Sequence, residues 1–210
     1  PSGRSATGTS LASKVQSHLE TLERRYSRYL TDRLVSTINR RAGSGDFTHL
    51  DPESETLLEI ADQLWRSSGG LFDITSGVLR KAWRFDAANT PVDLSQLEAL
   101  KKKVGWDKVK RTGEGVYLPV KGMEIDLGGL AKEYAADCAV RLLRDHGVTS
   151  ALIELAGDVA TIGSQPSGRP WRVGIRAPQG GDPVGGIALS NAAAATSGNY
   201  ARTLQLEGRT

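Results

Sequence analysis

The sequence predicts an α+β fold, with helices packed on a mainly antiparallel sheet. Helical periodicity dominates the first half of the 210 residues. Short strand-like runs separated by turns dominate the second, and this segregation distinguishes α+β from alternating α/β architecture. Glycine is frequent, at 24 residues, which suits many turns and close approaches of backbone to ligand.

Residues 1–10 are rich in Gly, Ser and Thr and are expected to be loose. Leu11, Val15, Leu19, Leu22 and Tyr26 recur at helical spacing and predict a helix over 11–26. Asp51-Pro52 reads as a helix start, with Asp as cap and Pro in the first turn. Leu57, Ile60, Ala61 and Leu64 form its expected apolar face, and Gly69-Gly70 its end. Ser95 with Glu98 forms a capping box, followed by Leu97, Leu100 and Val104 before Gly105. Residues 109–120 and 122–127 then read as short strands. A helix over 129–146 carries Ala131, Ala135, Cys138 and Leu142 on one side and stops at Gly147. Further strands are expected at 151–155, 159–162, 171–175 and 187–195. Loops rich in Gly and Pro are expected at 163–169 and 178–183.

A chain of this length can bury one large core or two small ones; a single domain over 1–210 is the expectation. Hydrophobic residues at 39% and charged residues at 24% are ordinary for a soluble protein. The net charge of +3 is too evenly spread to argue for nucleic acid. Lys101-Lys102-Lys103 and Lys108-Val109-Lys110-Arg111 read as a solvated helix end and loop. Cys138 stands alone, so no internal disulfide forms, and its helical position suits a small core residue. His18, His49 and His146 are scattered without a zinc pattern. No run approaches the ~20 apolar residues of a membrane-spanning helix. The chain opens on Pro1 without a methionine or a visible signal peptide, as expected of a processed or trimmed form.

The stretch Glu124-Ile125-Asp126-Leu127-Gly128-Gly129-Leu130-Ala131-Lys132 carries the strongest chemical signal. A strand-like entry ends in an acid, two glycines follow, and a helix opens with a lysine in its first turn. Unpaired N–H groups and a partial positive charge at a helix start attract phosphate. Gly128 and Gly129 would let a ligand approach the backbone, Lys132 adds a full charge, and Asp126 suits a metal or a hydroxyl. The same pattern also suits a plain strand-to-helix turn with a surface lysine.

Four blocks in order resemble the FAD:protein FMN transferases, the ApbE family, over roughly residues 20–210. The first is Ser27-Arg28-Tyr29-Leu30-Thr31-Asp32, ending near Asn39. The second is Gly69-Gly70-Leu71-Phe72-Asp73-Ile74-Thr75-Ser76-Gly77-Val78-Leu79, with Trp83 and Phe85 beyond. The third runs from Asp126 to Lys132. The fourth takes in Ala156-Gly157-Asp158, Trp171-Arg172-Val173-Gly174-Ile175 and Thr196-Ser197-Gly198-Asn199-Tyr200.

The resemblance implies a T-fold-like architecture with an FAD cleft between sub-domains and a divalent cation, usually Mg²⁺. It implies cleavage of the FAD pyrophosphate, transfer of FMN to a threonine of a partner protein, and release of AMP. By match to the family pattern, Tyr29, Leu71, Phe72, Asp73, Asp126 and Lys132 would contact FAD. Gly129 would offer its carbonyl to the metal, Ala156-Gly157-Asp158 would shape the cleft wall, and Thr196-Ser197-Gly198 would lie near the isoalloxazine. Plainer structural roles fit some of these residues as well: Tyr29 as packing, Phe72 in a core, Asp73 as a helix cap, Thr196-Ser197-Gly198 as a turn. The implied partners are FAD and acceptor subunits of membrane redox complexes, such as sodium-pumping NADH:quinone oxidoreductases and Rnf-type complexes. The implied location is the periplasmic side of the bacterial inner membrane, as a lipoprotein whose anchor would precede Pro1.

Two departures accompany the match. A family Met-Gly-Thr near the amino end is met only by Thr7-Gly8-Thr9. The family's His-x-x-Asp-Pro motif and its Asp-rich metal segment would fall beyond Gly208-Arg209-Thr210, and the expectation is that parts of a complete enzyme lie outside this sequence. An FAD pyrophosphatase releasing FMN and AMP, a non-catalytic FAD-binding protein and a generic nucleotide-binding module are the alternatives. The absence of Gly-x-Gly-x-x-Gly and Walker A patterns counts against the last.

Overall fold

A computed structural model describes the backbone of residues 2–82 and 94–197 and the side chains of 10–82 and 95–197. Trp83, Phe85 and Gly198-Asn199-Tyr200 lie outside the described residues. The chain forms two compact units. One combines residues through Leu22 with the described residues from Lys132 onward; the other is Glu23–Ala131.

Helix α1 spans Ser2–Tyr26. The Gly/Ser/Thr-rich lead is therefore helical rather than loose. Once 11–26 nucleates the helix, each added residue gains a backbone bond, and nothing after Pro1 interrupts the ladder. Thr7-Gly8-Thr9 falls within it.

In the first unit, helix α5 (Ala131–Asp145) buries Ala136, Ala139 and Val140 in one cluster with Ile153, Ala160 and Ile162. Val15 and Leu19 of α1 pack against this cluster. Cys138 is buried, as its helical position predicts. Strands β3 (Ala151–Leu155), β4 (Asp158–Ile162) and β7 (Ala193–Ala194) form an antiparallel sheet in the order β3-β4-β7. β5 (Trp171–Ile175) and β6 (Gly185–Leu189) form a separate antiparallel pair. The single strand expected over 187–195 is split, because Asn191 turns the chain with φ 52° between β6 and β7.

In the second unit, α2 (Leu34–Arg40), α3 (Pro52–Ser67), a 3₁₀ helix (Ile74–Lys81) and α4 (Leu94–Lys101) precede the hairpin β1 (Lys110–Thr112) and β2 (Gly115–Tyr117). Asp51 caps α3 as predicted, accepting from Ser54 N at 2.8 Å. The buried face of α3 is Leu57, Leu58 and Ala61, whereas Leu64 is exposed; the apolar stripe is turned from the expected one. α4 begins at Leu94, so Ser95 lies inside the helix rather than at its cap.

The run 122–127 is not a strand. Met123, Ile125 and Leu127 are buried, but a side chain and a loop carbonyl bond this segment in place of a ladder. The Asn39 amide donates to Ile125 O at 3.0 Å and accepts from Ile125 N at 2.7 Å, and Asp126 N donates to Ile74 O at 2.8 Å. Buried backbone groups need partners, and an asparagine can serve both polarities at one residue. Residues 127–130 form the turn into α5, with Leu130 N donating to Leu127 O at 2.9 Å, so the helix starts two residues later than expected.

Candidate functional site

The first two sequence blocks and the Asp126 end of the third converge inside the second unit. Arg28 makes an ion pair with Asp126, joining the first block to the third. The Asn39 and Ile74 bonds to 125–126 tie the first and second blocks to the same segment. Gly77 fits against Asp126 so closely that a Cβ there would stand 2.5 Å from Asp126 Cβ and 3.2 Å from its N. A Cβ on Gly129 would meet Phe72 Cε2 at 3.6 Å, an ordinary contact, so ring and glycine are neighbours.

Asp126 is half-buried, and its Oδ1 accepts from Gly128 N at 2.9 Å. The Arg28 guanidinium, besides meeting Asp126, sits 4.7 Å from the centroid of the Tyr29 ring. One of its nitrogens donates to the Tyr29 hydroxyl at 2.6 Å. Cation and ring thus hold each other, an arrangement that favours arginine over lysine. Tyr29 is 78% exposed and Leu71 93% exposed, so both offer apolar surface. Neither Gly128 nor Gly129 has the left-handed backbone that demands glycine, although a Cβ on Gly128 would stand 3.1 Å from Asp126 Oδ1.

Asp73 takes the cap role. Its Oδ1 accepts from Thr75 N at 2.7 Å and from the Thr75 hydroxyl at 2.6 Å, and its Oδ2 accepts from Trp106 N at 2.9 Å. Phe72 is half-buried. Beside Asp126 in sequence, Glu124 pairs with Arg80 and with Lys81, the latter at 2.5 Å. Burial pushes the Glu124 carboxyl up, but Lys81 and Arg80 outweigh it and hold it below the usual carboxylate range.

Lys132 stands in the first turn of α5 in the first unit, with its Nζ 2.5 Å from Asp158 Oδ2. Asp158 opens β4 and is 5% exposed; its Oδ1 accepts from Thr196 N at 3.1 Å. Burial raises this carboxyl, yet Lys132 and the Thr196 N–H bring it below its ordinary value. The positive charge that the sequence places on Lys132 is therefore balanced inside the unit.

A recess of about 930 Å³ opens elsewhere on the second unit, over α3 and the β1–β2 hairpin, with Leu50, Ile60, Trp65 and Trp106 in its lining. None of the predicted FAD or metal contacts lines it. For a Mg²⁺ ion, which takes near-octahedral oxygen coordination, the described donors do not suffice. Asp126 is tied to Arg28 and belongs to no group of three or more His, Cys, Asp or Glu side chains near enough to share an ion, among the described residues. Gly129 offers only its carbonyl.

A sequence model of the ApbE family matches residues 4–210. The chain belongs to the ApbE family. It is 32% identical over 195 residues to an FAD:protein FMN transferase of Treponema pallidum, covering 84% of this chain and 54% of that protein. It is 34% identical over 174 residues to one of Rhodobacter capsulatus, covering 80% of this chain and 33% of that protein. Among solved structures, an ApbE protein of Thermotoga maritima superposes with a TM-score of 0.85 at 27% identity, covering 95% of this chain and 66% of that one. The chain thus spans a third to two-thirds of the length of these relatives. The mixed helical and antiparallel architecture expected from sequence is the architecture of ApbE structures.

Sequence reasoning gave no role to Arg28, Gly77 or the Lys132–Asp158 pair. Arg28 carried a signal, a cation directly before an exposed tyrosine. Gly77 carried none, because its need arises only from a segment 49 positions away in the chain.

Proposed function

We propose that this chain carries the FAD-binding part of a Mg²⁺-dependent FAD:protein FMN transferase. The observation that supports the reading best is the meeting of the first three blocks around Asp126, with Arg28 beneath the exposed Tyr29 ring. Tyr29, Leu71 and Phe72 would give FAD apolar and ring contact, and Asp126 would accept from ligand hydroxyl or amino groups. Lys132 would meet the pyrophosphate, while Asp73 would act by shaping the 71–73 turn. The bond between the FMN phosphorus and the bridging oxygen breaks, and the threonine hydroxyl gives up its proton to solvent. AMP leaves with the bridging oxygen, and the acceptor threonine oxygen forms the new ester to FMN. A divalent cation would supply charge neutralisation at the pyrophosphate. Gly129 would provide one carbonyl ligand. The acceptors would be subunits of membrane redox complexes, reached from the periplasmic side of an inner membrane by a lipid-anchored protein.

Intact-mass spectrometry tests this reading after incubation with FAD, Mg²⁺ and a threonine-bearing acceptor domain. The expected result is an acceptor heavier by one FMN, with AMP released in equal amount. FMN and AMP appearing while the acceptor mass stays unchanged would identify a pyrophosphatase. FAD bound without turnover would identify a binding protein.

A further inference from the structure

Asp158 carries no role in the proposed chemistry, yet it is among the most deeply buried charged side chains described, at 5% exposure. An isolated buried carboxylate is costly and persists only with partners. Its partners come from separate segments. Lys132 Nζ reaches Oδ2 at 2.5 Å from the start of α5, and Thr196 N reaches Oδ1 at 3.1 Å from the chain just after β7. A lysine ammonium has three donors on a flexible four-carbon stem. Left alone, it would lose rotamer entropy on meeting an anion. With its ammonium held against Asp158 Oδ2, the stem is held in place, and the side chain remains 36% exposed, so the ammonium is accessible.

We propose that Asp158 is a positioning residue that pre-orders Lys132, and with it the Thr196 segment, for the pyrophosphate of FAD. This rests on the reading that Lys132 meets that pyrophosphate. Two effects compete. The Asp158 charge weakens the field that the phosphates feel, while its bond to Lys132 removes the entropy cost of fixing the lysine. The carboxylate is buried and adjacent to its cation, so the pair acts on the phosphates as a dipole aimed by its geometry, and positioning wins.

A double-mutant cycle on the whole 210-residue chain tests this, with FAD as the probe, flavin fluorescence as the readout and thermal melts to verify folding. D158N is expected to raise the FAD Kd about ten-fold, and to raise it no further on a K132M background, as residues that act as one unit do. D158E keeps the charge and the reach to Nζ and should restore most of the affinity. D158S enters the same cycle if D158N does not fold. Unchanged or tighter binding in D158N, or an equal loss with and without K132M, overturns the positioning role. If that happens while K132M alone weakens FAD, the Lys132 reading survives. If K132M leaves the Kd unchanged, the Lys132 reading itself falls, and the positioning role falls with it.

Discussion

Asp126 in the second unit and Asp158 in the first each hold one cation and one backbone N–H through opposite oxygens. They differ in what surrounds them. The Asp126 side chain is 27% exposed and shares its arginine with an exposed tyrosine, whereas the Asp158 side chain is 7% exposed and opens a buried strand. A half-open ion pair is worth little to stability, but a ligand can recruit it. A closed one fixes geometry and is expensive to break from one side. Under the proposed function, similar local chemistry would yield a contact residue in one unit and a positioning residue in the other.

The sharpest way to break the Asp126 side of this comparison is G77A. The added methyl would lie 2.5 Å from Asp126 Cβ and 3.2 Å from its backbone N, so backbone rather than a flexible side-chain end must move. Overpacking of this kind costs about 1–3 kcal/mol. It would also displace Asp126 from Arg28. Urea titration should show the lower midpoint, and FAD affinity should fall by more than ten-fold. A variant with wild-type affinity and midpoint would mean that the close approach is not required.

D126N follows in size and separates contact from support. The carboxylate charge is lost while volume and one acceptor remain. Stability should change by less than about 1 kcal/mol, because the pair with Arg28 is partly exposed. FAD affinity should drop about ten-fold, as for loss of a charge-assisted bond. Equal losses of stability and affinity would instead make Asp126 a support of the fold rather than a contact residue.

The third experiment turns to pH. Burial raises the Asp158 carboxyl, but Lys132 and Thr196 N bring it below its ordinary value. A depressed folded-state pKa gives stability that is full above the unfolded aspartate value and is lost as pH falls through the folded one. The stability gap between wild type and D158N should therefore be present at neutral pH and shrink below about pH 4. Chemical denaturation at neutral and acid pH measures the gap. A gap that is constant down to pH 3 would show that the Asp158 charge does not support the fold.

Legibility in the sequence follows the same division. Periodicity located α3, α5, β3, β4 and β5 because each is set by local pattern and by caps such as Asp51 and Gly147. The run 122–127 was misread as a strand because its alternation of buried residues is that of a strand. Its partners, Asn39 and Ile74, are visible only once the chain is folded. The split of 187–195 turns on Asn191, one of the few side chains that tolerate a left-handed backbone. At the site, the blocks were legible, but the pairing of Asp126 with Arg28 and of Lys132 with Asp158 was not. Ion pairs over long chain separations leave no spacing signature.

The smallest expected effect concerns the turn that delivers Asp158. Leu155 pairs with Asp158 across a two-residue connection in which Ala156 has φ 50° and Gly157 has φ 96°. Hairpin turns of this kind need left-handed backbone at both central positions. An alanine there carries strain of roughly 1–2 kcal/mol that a glycine avoids. Glycine also gives the unfolded chain more freedom, which offsets about 0.4–1 kcal/mol of the gain. A156G should therefore stabilise the protein by at most about 1 kcal/mol, seen as a rise of a few degrees in Tm. FAD affinity should not change, because the partners of Asp158 are untouched. A rise in Tm together with weaker FAD binding would mean that the strained turn itself helps to aim Asp158 at Lys132, and that the closed pair depends on how β4 begins as much as on its own bonds.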